Sequence, residues 1–388
     1  MNRSFPFFIV CFLGLFCVLS AQGQSIADRI TLRGYIKEMP GLRLDKDFGD
    51  ARFDNLIHNR LNIRAGLADH IHLHLEGRNR LMYNSLFKDF PVFGDLLARD
   101  DGWMDLSWVW LNQDGWIGHT AIDRMFLDIR YNQWQFRAGR QRINWGITMV
   151  SNPNDLFNTY SFFDIDYPER PGADALRVQY NTGFASRIEA AWSPAREARQ
   201  SVGALLVAWN LRGYDFQALA GYYHHRAALG GGWAGNIGGA GFKGEATWFY
   251  HLEEQSGADR GDLVVATGVD YMFGSGTFAV LEVLYNGGYQ PIDPLALFLN
   301  QPLRADNIMF SEYAITLNLQ HPFSPVFSGG LALMSLPDQQ AFFLLPSLSR
   351  SLLTNLDMEG VAQIFVGGKE SIFRQAGSAW YLSLKYTF

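Results

Sequence analysis

The chain has 388 residues and a formal charge of −6; 15% of its residues are aromatic, 39 are glycine and only 18% are charged. Soluble domains carry about a quarter charged residues, and the mild acidity argues against nucleic acid as a partner. The mean hydropathy is −0.06, yet beyond the first 24 residues there is no window of about 20 apolar residues from which to build a membrane helix.

At the amino terminus Arg3 precedes an apolar run from Phe5 to Val18, and Ser20, Ala21 and Gly23 follow. A positive start, a short apolar stretch and small residues before a cut site make a secretory signal peptide. The expected leader is 1–23, cleaved after Gly23, with 24–388 as one mature domain. Loss of Arg3 takes the formal charge from −6 to −7. Cys11 and Cys17 both lie in the leader, outside any Leu-x-x-Cys context. The mature chain therefore has no disulfide framework and no cysteine chemistry.

The mature chain then alternates. Strands are expected near 29–38, 55–68 and 70–83. In the second, Ile57, Leu61, Ile63, Ala65 and Leu67 alternate with His58, Arg60, Asn62 and Arg64. In the third, Ile71, Leu73 and Leu75 alternate with His72, His74 and Glu76, and Arg78 and Arg80 continue the polar face. Period-2 alternation gives each strand one apolar and one polar face. A soluble sandwich would alternate too. Segments of about ten residues suit tilted strands that cross a bilayer, and the Trp, Tyr and Phe at their ends suit interfacial girdles.

Further strands are expected near 119–131, 133–143, 173–181, 184–193, 201–211, 214–225, 230–237, 240–250, 262–273, 277–287, 308–320, 325–335, 340–349, 356–367 and 377–388. Asp105 to Leu111 also alternates, but parity places it in a loop. Short turns at 69, 132–133, 182–183, 212–213, 274–276, 322–324 and 354–356 alternate with loops at 84–118, 144–172, 194–200, 251–261, 287–307 and 368–376. Short periplasmic turns and long external loops are the topology of an outer-membrane barrel. With both termini periplasmic the count is eighteen antiparallel strands. The glycines of 230–250 blur the pattern, and sixteen is the fallback. The last strand sets Trp380, Leu382, Leu384, Tyr386 and Phe388 against Tyr381, Ser383, Lys385 and Thr387. It resembles the terminal strand read by the outer-membrane barrel-assembly machinery. That resemblance implies this machinery and the outer-membrane lipid of a Gram-negative bacterium as partners.

A closed barrel of this size leaves an aqueous lumen, which the polar faces would line. Arg60, Arg64, Arg78, Arg80, Arg124, Arg130 and Arg137 dominate the early strands, with His72, His74, Glu76 and Asp128 among them. Two readings stand: a cationic stripe that attracts anions, or arginine–carboxylate pairs that brace the wall and cancel. His70, His72 and His74 share a strand face, but same-face neighbours about 6.5–7 Å apart do not converge on one small ion. Asp164, Asp166 and Glu169 lack EF-hand spacing and read as a solvated acidic loop. No metal and no cofactor is expected.

The segment 139–174 holds Gly139-Arg140-Gln141, then Trp145-Gly146, then Asn152-Pro153-Asn154-Asp155, then Glu169-Arg170-Pro171-Gly172. Here the chain resembles the large porin-type barrels, alginate-export-like channels included. The resemblance implies a loop folded into the barrel, with Asp155, Asp164, Asp166, Glu169 and Arg170 lining a constriction. The other reading is an external lid over the mouth. There is no Gly-x-Ser-x-Gly elbow and no His-Glu-x-x-His, so catalysis is not expected. The expected function is a porin-like channel for small hydrophilic solutes, anions among the candidates. The competing reading is a barrel that binds or exports a polysaccharide, or binds a surface partner, through aromatic loops: 84–118 with Trp103, Trp108, Trp110 and Trp116, and 287–307. Nothing in the sequence marks an oligomer interface.

Overall fold

The computed structural model describes residues 29–47, 49–89, 92–158, 169–252, 261–291, 303–368 and 371–388. In chain order the strands are β1 (Ile30–Leu44), β2 (Ala51–Ala68), β3 (Ile71–Asn84), β4 (Ser107–Gln113), β5 (Trp116–Tyr131), β6 (Trp134–Gln141), β7 (Ala173–Gly183), β8 (Ser186–Ser193), β9 (Val202–Leu211) and β10 (Tyr214–Tyr223). They continue as β11 (Arg226–Ile237), β12 (Ala240–His251), β13 (Gly261–Met272), β14 (Phe278–Asn286), β15 (Tyr313–Ser324), β16 (Phe327–Leu336), β17 (Ala341–Leu353), β18 (Leu356–Gly367) and β19 (Ser378–Thr387). Two short helices, α1 (Ser85–Asp89) and α2 (Val92–Ala98), stand between β3 and β4.

Consecutive strands pair antiparallel, β3 pairs β5, and β19 returns to pair β1, closing a barrel of eighteen strands. Closure is what a bilayer demands, since an open sheet edge would leave backbone groups unpaired in hydrocarbon. The seam is tight: Gly34 and Phe388 exchange both backbone hydrogen bonds, each 3.0 Å. The nineteenth strand, β4, pairs only with the first part of β5, Ser107 opposite Ala121. The later part of that same β5 edge pairs with β6, Met125 opposite Arg140. So β4 extends the wall above β6 without joining the ring, and the segment 105–111 is paired rather than plain loop.

The eighteen expected strands all form, with shifted ends. β1 runs to Leu44 and β11 begins at Arg226, so their neighbouring connections are shorter than expected. The turn after β7 is Phe184-Ala185 rather than 182–183. At β15 the strand starts at Tyr313 and not at 308. Ile308, Met309 and Phe310 are buried in a loop core, and apolar burial inside a lumen leaves the same sequence signal as a strand. Gly238-Gly239, which blurred the pattern, form a two-residue turn with φ of 58° and 89°. Such a turn needs left-handed backbone at both positions and matches the twist of its strands.

Side-chain parity is consistent around the ring. On β14 the exposed Leu281 (44%) and Val283 (44%) flank Glu282 (2%). The exposed set faces lipid and the buried set faces the lumen.

Candidate permeation pathway

The segment after β6 turns into the barrel because lumen-facing side chains satisfy its backbone. Each buried N–H and C=O must find a partner, and an irregular segment has no ladder of its own. The Trp145 indole donates to Glu189 on β8 at 2.6 Å, and Gln217 on β10 donates to the Trp145 carbonyl at 2.6 Å. Glu245 on β12 accepts from the Ile147 N–H at 2.5 Å. The Thr247 hydroxyl donates to Pro153 and Asn154 at 3.0 and 2.7 Å. Glu282 on β14 accepts three consecutive amides, Met149, Val150 and Ser151, at 3.0, 3.0 and 2.6 Å. Successive N–H groups converging on one anion form a nest, here built by the loop around a wall carboxylate.

The same connection returns on the other side. Glu169 accepts from the Tyr35 hydroxyl of β1 at 3.1 Å, and Arg124 donates to its carbonyl at 2.7 Å. Arg60 of β2 lies 4.0 Å from its carboxylate. The described parts of this connection are therefore seated on lumen-facing side chains, residues 145–158 on β8 to β14 and Glu169 on β1, β2 and β5.

A second connection also packs inward. The Ala305 N–H donates to the Tyr223 hydroxyl at 2.9 Å, and Arg226 bridges Asp262 and Asp306 at 2.6 and 3.0 Å. Ile143, Trp145, Val150 and Leu156 from the first connection and Leu303, Ile308, Met309 and Phe310 from the second join wall residues in one apolar cluster. Its wall members, from Ala175 to Phe343, come from β7 to β17. That side of the lumen is filled with packed side chains. A polar lining remains on β1 to β8, and polar side chains also face the lumen from β18 and β19, Asp357 opposite Lys385 and Glu359 opposite Ser383 among them.

On that lining the arginines sort into two groups. Arg60, with a side chain 1% exposed, reaches Asp123 at 2.5 Å and Glu76 at 2.6 Å. Arg78 meets Asp123 at 3.4 Å and Arg124 meets Glu76 at 3.2 Å, while Arg80 lies 3.1 Å from the His119 ring. This group is the braced wall. Nearer the short turns, Asp128 is shared by Arg130 at 2.9 Å and Arg137 at 3.4 Å. Arg130 remains 61% exposed, and Arg64 is exposed too. His74 stacks on Phe126 at 4.6 Å, and the Arg137 guanidinium lies 5.3 Å from the same ring. His70 meets Tyr131 edge-on.

The acidic candidates separate likewise. Glu169 sits against the basic wall as described. Asp155, expected on the constriction surface, is only 1% exposed and lies within the seat of the loop. Arg170 occupies a left-handed backbone position, φ 57°, where the connection turns towards β7. Asp164 and Asp166 lie outside the described residues. The residues missed from sequence are Glu189, Gln217, Glu245 and Glu282. Their signal was present: polar residues at lumen parity along β8, β10, β12 and β14. The rim tryptophans face outward, with Trp110 donating to Thr120 at 3.2 Å.

Burial pushes the Asp155 carboxyl up to about 7, against the opposing influence of Arg170 and Arg142. A carboxyl held above its unfolded value of 3.8 keeps its proton in the seated loop between those two values, so raising pH across that window weakens the seat. Above about 7 the loss is complete. Conductance in planar bilayers is expected to be lower and quieter at pH 5 than at pH 8, and Asp155→Asn should flatten that difference. A pH dependence unchanged in the variant would remove Asp155 as its source.

No sequence-family model and no curated protein matches this chain. Solved structures do. OccAB1 of Acinetobacter baumannii aligns over 95% of this chain and 99% of its own, with a TM-score of 0.57 at 9% identity. OccK11 (OpdR) of Pseudomonas aeruginosa aligns over 94% and 96%, with a TM-score of 0.58 at 8% identity. The outer membrane protein opdK of Pseudomonas aeruginosa aligns over 92% and 99%, with a TM-score of 0.56 at 6% identity. The chain therefore has the closed β-barrel fold of these outer-membrane proteins. At these identities the likeness is one of fold.

Proposed function

We propose that the protein is a passive channel for small hydrophilic solutes and that its remaining bore favours anions. The observation that supports the reading is the seating of residues 145–158 on lumen-facing side chains of β8 to β14. On this reading the connection between β6 and β7 narrows the pore and leaves the polar lining of β1 to β8 among the surfaces that solutes meet. On β2, β3 and β5 to β8 the lumen-facing set is Arg52, Arg60, Arg64, Arg78, Arg80, Arg124, Arg130, Arg137, Arg177 and Arg187 against Asp54, Glu76, Asp123, Asp128 and Glu189, with Glu169 added from the loop. Ten guanidiniums against six carboxylates leave a local excess of positive charge, although the whole chain is acidic. Charge on a narrow wall steers and selects ions. The braced group holds shape, and the exposed Arg64 and Arg130 present charge to the solute.

The test is the reversal potential under a salt gradient. The wild-type channel should be anion-selective, and Arg64→Ser with Arg130→Ser should move the reversal potential towards zero. Cation selectivity in the wild type would reject the anion preference, and an absence of channel events from folded protein would reject the channel.

A further inference from the structure

We infer that residues 303–310, from the connection between β14 and β15, are a cap that holds residues 145–156 of the first connection in their seat, with Met309 and Phe310 as the positioning residues. The inference rests on the reading of the first connection as the constriction of the pore. What carries it is one order repeated on three wall strands. β10, β12 and β14 each run from a short turn towards the external side, so later residues on a lumen face lie nearer the mouth. On β14, Glu282 accepts the amides of Met149, Val150 and Ser151. Further out, Asn286 donates to the Asn307 side-chain oxygen at 2.9 Å and to the Met309 and Ser311 carbonyls at 3.2 Å each. Leu284 stands between them on the same face, 1% exposed, within the apolar cluster.

The other two strands agree. On β12, Glu245 and Thr247 serve the first connection, and Phe249 follows with its ring 5.2 Å from Tyr223. On β10, Gln217 holds the Trp145 carbonyl, Leu219 joins the cluster, and Tyr223 holds the Ala305 amide. Same-face residues follow one another outward along a strand, so on each strand the second connection is seated outside the first. It has a buttress of its own. Phe310, 1% exposed, meets Phe373 edge-on at 6.3 Å, and Phe373 stacks on Phe365 of β18 at 5.8 Å. Phe373 belongs to the turn Ile372–Gln375 between β18 and β19, where the Ser371 side chain accepts from its amide at 3.3 Å.

An apolar cluster beside a wet bore holds only while its outer layer keeps water out. Val150 and Leu156, 7% and 3% exposed, lie in the inner layer, and Ile308, Met309 and Phe310, all under 7%, lie in the outer one. Loss of the outer layer opens the inner one to water, which competes for the amides that Glu282 and Glu245 accept. The wall carboxylates thus fix where the first connection sits, and the cap fixes how firmly. The two connections open together.

The chain has no cysteine after Cys17, so single cysteines report without background. Val150→Cys places a thiol in the inner layer, and Ala121→Cys, buried on β5 outside the cluster, is the control. Each is treated with a small water-soluble maleimide in folded protein, with and without Phe310→Ala, and gel mobility of unheated samples reports folding. Thiol reactivity follows the population of the locally opened form. Phe310→Ala should speed modification at Val150→Cys at least about tenfold, as expected for a large truncation in a packed core, and leave Ala121→Cys unchanged. An unchanged rate at Val150→Cys in folded protein would overturn the cap, and so would equal acceleration at the control. Should Phe310→Ala not fold, Tyr223→Phe takes its place. It removes only the hydroxyl that meets the Ala305 amide, and a smaller acceleration confined to Val150→Cys is expected, with none counting against the cap. The thiol reaction needs no ion flow, so its outcome stands apart from that of the conductance experiments.

Discussion

Replacing Glu282 and Glu245 together with alanine is expected to raise the single-channel conductance and make it noisy, while the barrel stays folded. Glu282 alone accepts three loop amides and Glu245 accepts the Ile147 amide. Such hydrogen bonds contribute about 0.5–1.5 kcal/mol each, net of solvation. Loss of these four removes roughly 2–6 kcal/mol of anchoring before relaxation. Amides left in the apolar cluster without acceptors would add to the cost of staying there. The connection should therefore leave the wall for part of the time, and the pore should widen. Glu282→Gln is the informative companion, because its amide oxygen keeps an acceptor for part of the nest and its effect should be smaller. Conductance equal to the wild type in the double alanine variant would show that these carboxylates do not hold the constriction. Deleting residues 150–158 should give the same widening without depending on any one bond.

Arg60→Ala is expected to have the largest effect on stability. Its guanidinium is the shared cation of Asp123 and Glu76, with Glu169 at 4.0 Å, and its side chain is 1% exposed. Removing one partner from a buried ionic cluster typically costs 3–5 kcal/mol, because the others are left desolvated and uncompensated; about that loss is expected here. The urea midpoint of the folded band in lipid vesicles should fall accordingly. Arg130→Ala is the contrast: Arg130 is 61% exposed, and a water-facing pair of this kind contributes about 0–1 kcal/mol. Similar midpoints for the two variants would show that the Arg60 cluster is not a bracing element. Arg60 also touches the returning end of the loop, so its loss should loosen the constriction as well as the wall.

Much of the architecture could be read from alternation, because in a barrel each strand records its two solvents directly in its side chains. The eighteen strands, the closing aromatic strand and the parity of short and long connections all follow from that one rule. Where the rule fails, a third environment is present. Ile308 to Phe310 look like the start of a strand because they are apolar, yet they are buried inside the lumen by a loop. The stretch 105–111 alternates because it pairs with β5, although the ring has no place for it.

The candidate site was legible only in part. Arginines at lumen parity could be named from sequence, and so could the connection whose residues 145–158 seat on the wall. What the sequence could not decide is which arginines are spent on carboxylates, since Arg60 and Arg64 lie on one strand face and differ only in what the neighbouring strands and Glu169 bring to them. Nor could it show that Glu189, Glu245 and Glu282 seat the loop, for their partners, the Trp145 indole and backbone amides, lie some 40 to 130 residues distant. Backbone amides are present at almost every position and leave no mark in a sequence. Alternation by itself determined the barrel, because it depends on local contrast between lipid and water. The division of the lumen into a packed side and a charged side was decided by tertiary structure, because it depends on where a loop finds acceptors on strands far along the chain.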